Sequence, residues 1–138
     1  MDRRTFLTAS AAFVAIAPAA QAGGMTKDYT PGLIKQALAD GKTVFVDYAA
    51  DWCGTCKRQE RVINSLRLEN SAYDAAMMFV RVDWDEFGNH EVATSRNIPR
   101  RSTLLVLKGD RELGRIVAGT STARIKALLD KGLAAASS

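Results

Sequence analysis

Both cysteines of the chain, Cys53 and Cys56, lie in one C-x-x-C motif between a strand pattern and a helix pattern. The run Thr43–Ala49 before them is β-branched and aromatic, which is typical of a buried strand. The segment from Cys53 to about Leu66 has apolar residues at helical spacing. The fold must therefore be one that places two thiols where a strand ends and a helix begins.

Strand and helix patterns alternate along the rest of the chain. Helices are predicted over 31–39, 53–66, 73–76, 89–96 and 120–133, and strands over 43–49, 77–83, 103–107 and 113–118. A helix joins the first two strands, so they should be parallel, whereas a short turn joins the last two, so they should be antiparallel. The sequence therefore predicts an α/β fold with a mixed four-stranded sheet flanked by helices on both faces.

Composition excludes several classes of function. A chain of 138 residues with two cysteines and one histidine cannot build a disulfide-dense scaffold, a four-cysteine zinc site or a multi-histidine metal centre. The net charge of +4 is small and scattered along the chain, so nothing in it favours nucleic-acid binding.

The N-terminus has the features of an export signal. Arg3 and Arg4 precede a short apolar run over 9–17, and Ala20–Gln21–Ala22 resembles a cleavage site. The paired arginines resemble the twin-arginine type of signal, and the alternative is an ordinary N-terminal helix. We therefore expect a periplasmic protein. Its predicted parts are a signal peptide (1–22), a flexible leader (23–30), a folded domain (31–133) and a frayed tail (134–138).

The position of the C-x-x-C motif favours thiol–disulfide exchange. The unpaired N–H groups and the positive dipole of a helix N-terminus stabilise a thiolate, so Cys53 is predicted to be the exposed nucleophile. Cys56, one turn further along, would be less accessible and would resolve a mixed disulfide. Lys57 and Arg58 add positive charge nearby, and Gly54 would permit close approach.

The cysteines have two other interpretations, as metal ligands and as a structural disulfide. A C-x-x-C pair supplies only two ligands to a metal that usually takes four, and nothing places His90, Met77 or Met78 beside it. A purely structural disulfide would close so small a loop that it would stabilise little.

The residues 51–57, Asp-Trp-Cys-Gly-Thr-Cys-Lys, resemble the active-site sequence of the thioredoxin superfamily. The strand residues 44–50 before them and 103–109 later in the chain extend the resemblance over roughly 32–133. With an export signal, the chain looks most similar to the C-terminal thiol-reductase domain of the membrane electron transporter DsbD. This resemblance implies a monomeric thiol–disulfide oxidoreductase that acts on protein thiols and disulfides through its own cysteine pair, without a cofactor or metal.

The resemblance also implies roles for residues around the motif. Asp47 matches a buried acid that takes the proton from the resolving cysteine, and burial of a carboxyl among apolar residues would suit it to that task. Arg81 matches a lysine near this acid, or is an outward-facing strand residue. The predicted substrate-binding residues are Trp52, Gly54, Thr55, Arg101 and Ser102.

One position departs from the family pattern. The family has a cis-proline just before the third strand, where this chain has Ser102, preceded by Arg101. Either Pro99 takes that role in a rearranged loop, or Ser102 replaces the proline with a trans bond. Arg100 and Arg101 would place positive charge beside the active site, which suggests a partner with an acidic rim.

The direction of electron flow is predicted from two features. No histidine lies between the cysteines to make the pair a stronger oxidant, which favours a reductant. The resemblance also favours a reductant and implies a membrane transporter as the source of electrons, and the chain has no G-x-G-x-x-G nucleotide motif of its own. The alternatives are a disulfide oxidase or isomerase, and a metal-handling thiol chaperone that uses the same cysteines.

Overall fold

A computed structural model of the chain describes residues 26–137. Along the chain the elements are β1 (Lys27–Asp28), α1 (Leu33–Ala39), β2 (Thr43–Ala49), α2 (Gly54–Glu69), α3 (Ala72–Ala76), β3 (Met77–Asp83), α4 (Trp84–Phe87), α5 (Glu91–Thr94), β4 (Thr103–Lys108), β5 (Arg111–Val117) and α6 (Thr122–Ala136). The predicted signal peptide and the start of the predicted leader lie outside the described residues. Within the described range, none of the helices has the length and apolar character needed to cross a membrane.

The strands form one mixed sheet in the order β1-β3-β2-β4-β5. β2 runs parallel to β3 and antiparallel to β4, and β4 pairs antiparallel with β5, as the connections predicted. The sheet has five strands rather than the predicted four, because Lys27–Asp28 pairs with β3 at the edge. The predicted flexible leader over 23–30 is therefore wrong at these two residues, which are too few to show any strand periodicity.

The two faces of the sheet carry separate apolar cores, because successive side chains of a strand point to opposite faces. Val44, Val46 and Tyr48 of β2 belong to the core that α1 and α5 cover. Phe45 belongs to the core that α2, α3 and α6 cover. The same alternation places Asp47 on the face of Phe45, towards α2.

Several element bounds differ from the sequence prediction, and one short helix was not predicted. Helix α6 continues to Ala136, so residues 134–136 are helical rather than a frayed tail. A short helix, α4, follows β3 directly, and the Asp83 carboxylate accepts a hydrogen bond from the Asp85 N–H at its start. A single turn of four residues gives no helical repeat, so the sequence did not predict it.

Candidate active site

The C-x-x-C motif occupies the start of α2, at the end of β2. Cys53 is the N-cap residue, and its Sγ accepts a hydrogen bond of 3.1 Å from the Cys56 N–H. The two cysteines form a disulfide with their Cα atoms 5.3 Å apart. The hydrogen bond and the helix dipole both favour negative charge on Cys53 Sγ, so this sulfur is the one suited to act as a thiolate.

Both cysteines are buried in this disulfide form, which corrects the prediction of an exposed Cys53. Each is only 3% exposed, and they pack with Ala49, Ala50 and the partly buried Trp84. The side chain at the surface is instead Trp52, which is 59% exposed. A substrate disulfide must therefore approach past Trp52 and its neighbours to reach Cys53.

Ser102 occupies the position where the family carries a cis-proline. No cis peptide bond occurs in the described part of the chain, so the bond before Ser102 is trans. Its backbone is in the left-handed region at φ 64°, its N–H donates to the Tyr48 carbonyl at 2.7 Å, and its carbonyl accepts from the Ala118 N–H at 2.8 Å. The Ser102 hydroxyl lies 3.1 Å from Cys53 Sγ and 3.0 Å from Cys56 Sγ. Pro99 is exposed, three residues earlier.

Gln59 supports this loop from α2, and sequence analysis missed it. The side chain is fully buried, and its amide donates to the carbonyls of Ser102 and Gly119, both at 3.0 Å. Gln59 Oε1 is buried without a hydrogen-bond partner in the described residues. The available signal was its position in α2, three residues after Cys56, because residues three apart lie on the same face of a helix.

Replacing Gln59 with leucine is expected to lower the free energy of unfolding by about 1–2 kcal/mol, because the carbonyls of Ser102 and Gly119 lose a donor. Urea denaturation of the oxidised protein measures this. Gln36→Leu is the matched control, since Gln36 is exposed in α1 and its amide contacts only the nearby Asp40 carboxylate in the described structure. Equal stability of the two variants would show that Gln59 does not hold the loop.

Asp47 lies in β2, beside a pocket of about 20 Å³ lined also by Thr26, Phe45, Glu60, Ile63, Asn64, Phe79 and Val80. A volume of this size can hold about one water molecule. Although Asp47 as a whole is only partly buried, its Oδ1 is inaccessible and has no hydrogen-bond partner among residues 26–137.

The buried position changes the acidity of Asp47. Desolvation raises the pKa of Asp47 from 3.8 to about 7, while the Arg81 guanidinium lowers it and Glu60 raises it further. A carboxyl with this pKa exchanges its proton near neutral pH, so Asp47 can act as a proton acceptor there.

Arg81 combines the two roles considered for it. It lies beside Asp47 in the β2–β3 register, and its positive charge acts on that carboxyl. Its guanidinium, however, forms an ion pair with the exposed Asp51 at 2.9 Å. Arg81 is thus a partly exposed strand residue that moderates the pKa of Asp47 without a direct bond to it in the described contacts.

Trp52 and Arg101 form the rim above the cysteines. The Trp52 indole N–H donates to both carboxylate oxygens of Asp85, at 3.1 and 3.0 Å. The Arg101 guanidinium carbon lies 4.3 Å from the centre of the Trp52 ring, a cation–π contact. Arg101 Nε is buried without a hydrogen-bond partner in the described part of the chain.

Other predicted site residues are placed less distinctively. Gly54 begins α2, and a Cβ there would meet nothing within 4 Å, so the fold itself does not require glycine at this position. Thr55 is partly buried in the first turn of α2. His90 caps α5, where its Nδ1 accepts from the Val92 N–H at 3.2 Å. The described residues contain no group of three or more potential metal ligands.

Comparison with known proteins places this site in a family. The family model described as Thioredoxin matches residues 26–131. Thioredoxin-1 of Saccharomyces cerevisiae is 32% identical over 102 residues, which cover 74% of this chain and 92% of the relative. Thioredoxin H9 of Arabidopsis thaliana is 30% identical over 92 residues, and the match spans 67% of this chain but only 61% of that relative.

A solved structure gives the same result. The structure of Trxlp from Edwardsiella tarda superposes with a TM-score of 0.65 at 30% identity, covering 75% of this chain and 98% of the other. The predicted thioredoxin-like fold is thereby confirmed. This chain belongs to the thioredoxin family of thiol–disulfide oxidoreductases and carries the cysteine pair of that chemistry as Cys53 and Cys56.

Proposed function

We propose that this chain is an exported thioredoxin that reduces disulfides in periplasmic proteins. The observation that carries the proposal is the position of Cys53 at the start of α2, bonded to Cys56 and hydrogen-bonded to the Cys56 N–H. This arrangement stabilises one sulfur as a thiolate and holds the second within bonding distance.

The reaction proceeds through two exchange steps. The Cys53 thiolate attacks a substrate disulfide, forming a mixed disulfide and releasing the first substrate sulfur as a thiolate. Cys56 loses its proton, with Asp47 as the acceptor, and attacks Cys53 Sγ, which releases the second substrate sulfur. The substrate gains two electrons and takes up two protons, and the chain is left with the Cys53–Cys56 disulfide.

The sequence features at the N-terminus support export. Arg3 and Arg4, the apolar run after them and the Ala20–Gln21–Ala22 site supply the parts of a twin-arginine signal. Fractionation of cells that express the full chain tests this directly. The mature protein should appear in the periplasm, and replacing both arginines with lysine should retain it in the cytoplasm. Cytoplasmic location of the unaltered chain would contradict the proposal.

A periplasmic reductant needs a supply of electrons, and we propose that a membrane protein with a thiol-reducing domain donates them. The first test is the reduction potential of the Cys53–Cys56 pair, followed by Trp52 fluorescence in defined thiol buffers. A value below about −200 mV, in the range of thioredoxins and glutaredoxins, is expected for a reductant.

One observation favours the opposite direction of electron flow. Cys53 Sγ is within hydrogen-bond distance of two groups, the Cys56 N–H and the Ser102 hydroxyl. Donors to a thiolate stabilise the reduced form, and a stabilised reduced form makes a pair more oxidising. A potential near about −120 mV would identify the chain as a disulfide oxidase instead.

The charge of Arg101 is expected to favour acidic substrates. Arg101→Gln should lower kcat/KM about fivefold for a disulfide peptide flanked by glutamates, with little change for a glutamine-flanked peptide, because a rim charge mainly affects encounter. The difference should shrink at high salt. Arg111→Gln, an exposed arginine on β5, is the control. Equal losses for both peptides would mean that Arg101 acts through structure rather than charge.

A further inference from the structure

The Ser102 hydroxyl lies within hydrogen-bond distance of both reacting sulfurs. It is fully buried, and Oγ lies 3.1 Å from Cys53 Sγ and 3.0 Å from Cys56 Sγ. In the disulfide form neither sulfur carries a hydrogen, so the hydroxyl is the donor in these contacts. A hydroxyl has one proton and two acceptor lone pairs, and it can rotate between the two sulfurs.

The backbone holds Ser102 in this position. Its left-handed conformation, at φ 64°, is uncommon for a residue with a side chain. Three hydrogen bonds maintain it. The Ser102 N–H donates to the Tyr48 carbonyl, and the Ser102 carbonyl accepts from the Ala118 N–H and the Gln59 amide. Because these hydrogen bonds hold an unfavourable backbone conformation, Ser102 Oγ keeps its position while the sulfurs change between disulfide, thiol and thiolate.

We infer that Ser102 is a catalytic residue of the exchange reaction. Its hydroxyl donates a hydrogen bond to whichever sulfur, Cys53 or Cys56, carries the negative charge. The inference rests on the proposed exchange function. In the dithiol form, the Cys56 thiol donates to Ser102 Oγ and the Ser102 hydroxyl donates to the Cys53 thiolate. Once Cys53 is tied up in a mixed disulfide, the hydroxyl turns to the Cys56 thiolate.

The other described groups at the site do not supply a hydrogen-bond donor to the Cys56 thiolate. The Cys56 N–H serves Cys53 alone, because it donates to Cys53 Sγ. Asp47 can take the proton of Cys56, but its buried Oδ1 has no hydrogen-bond partner among the described residues, whereas Ser102 Oγ lies 3.0 Å from Cys56 Sγ. Ser102 therefore supplies the donor for the second thiolate, the one that must form before product is released.

Both steps can be followed with the small aromatic disulfide DTNB, which needs no physiological partner. The reduced protein should release one coloured thiolate when Cys53 attacks and a second when Cys56 resolves the adduct. Loss of a hydrogen bond to a charged sulfur is expected to slow each step about tenfold at neutral pH. The pH at which each rate is half-maximal should move upwards in parallel.

Two variants without the hydroxyl keep the test independent of folding. Ser102→Ala removes the oxygen, and Ser102→Gly also removes it while suiting the left-handed backbone. Both are expected to slow both steps. The control is Thr103→Ala, which alters the next residue, whose hydroxyl donates to the Arg100 carbonyl at 2.7 Å. It should leave both rates and their pH profiles unchanged.

The outcomes distinguish the inference from the proposed function. Slowing of both steps in both Ser102 variants supports the inference. Normal rates in either variant, or slowing equal to that of Thr103→Ala, would overturn it, and slowing of the first step alone would refute the role at Cys56. The proposed function fails separately, if the unaltered protein releases the first thiolate but never the second.

Discussion

Replacing Cys53 with serine is expected to abolish disulfide reduction, by about a thousandfold or more, because the reaction then has no nucleophile. Cys56→Ser should behave differently, since Cys53 can still attack but nothing resolves the adduct. This variant should accumulate a covalent mixed disulfide with its substrates. The assay is reduction of a protein disulfide, combined with non-reducing gels of periplasmic extracts.

The variant with both Cys53→Ser and Cys56→Ser is the control, because it should form no covalent adduct. An adduct in Cys53→Ser, through Cys56, would reverse the assignment of nucleophile and resolving cysteine. If Cys56→Ser formed no adduct and the cysteines instead bound copper or zinc that blocked their alkylation, the metal-handling alternative would replace the exchange function.

Removing the charge of Asp47 is expected to change how stability depends on pH. The folded state holds the Asp47 proton up to about pH 7, whereas the unfolded chain releases it near 3.8. The folded state therefore binds more protons between these values, and the free energy of unfolding falls as the pH rises through this window. Above pH 7 the buried Asp47 charge lowers the free energy of unfolding by about 4 kcal/mol, and below about pH 4 this destabilisation is absent.

Asp47→Asn should therefore be more stable than the unaltered protein at pH 8 and nearly equal to it at pH 4. Urea denaturation of the oxidised proteins at several pH values measures the difference, and the comparison cancels the titration of other groups. Asp110→Asn, an exposed carboxylate in the β4–β5 turn, should show no such trend. A constant difference between pH 4 and pH 8 would show that Asp47 is not destabilised by its burial.

The sequence was sufficient for the main strands and for the redox motif. β2 and β3 are runs of β-branched and apolar residues, and their observed bounds are Thr43–Ala49 and Met77–Asp83 as predicted. Their signal is strong because both faces of these strands are covered, so that nearly every side chain must be apolar. Asp47 stands out for the same reason, as a carboxyl within such a run.

The features that were missed depend on tertiary contacts rather than on local pattern. β1 has two exposed charged residues, and only its pairing with β3 makes it a strand. Gln59 is a polar residue on the buried side of α2, and a search for apolar residues at helical spacing does not predict that it is buried. The burial of Cys53 and the position of the Ser102 hydroxyl follow from how the loop before β4 folds over the start of α2, which residue types alone do not reveal.

The two outer strands also bear on how the protein behaves at high concentration. One edge of the sheet ends in Lys27–Asp28, both exposed, and the other edge, β5, begins with the exposed charges of Arg111 and Glu112. A strand from a second molecule could add to either edge only by bringing its own chain against these charged side chains. Charged edges of this kind oppose open-ended sheet growth and aggregation.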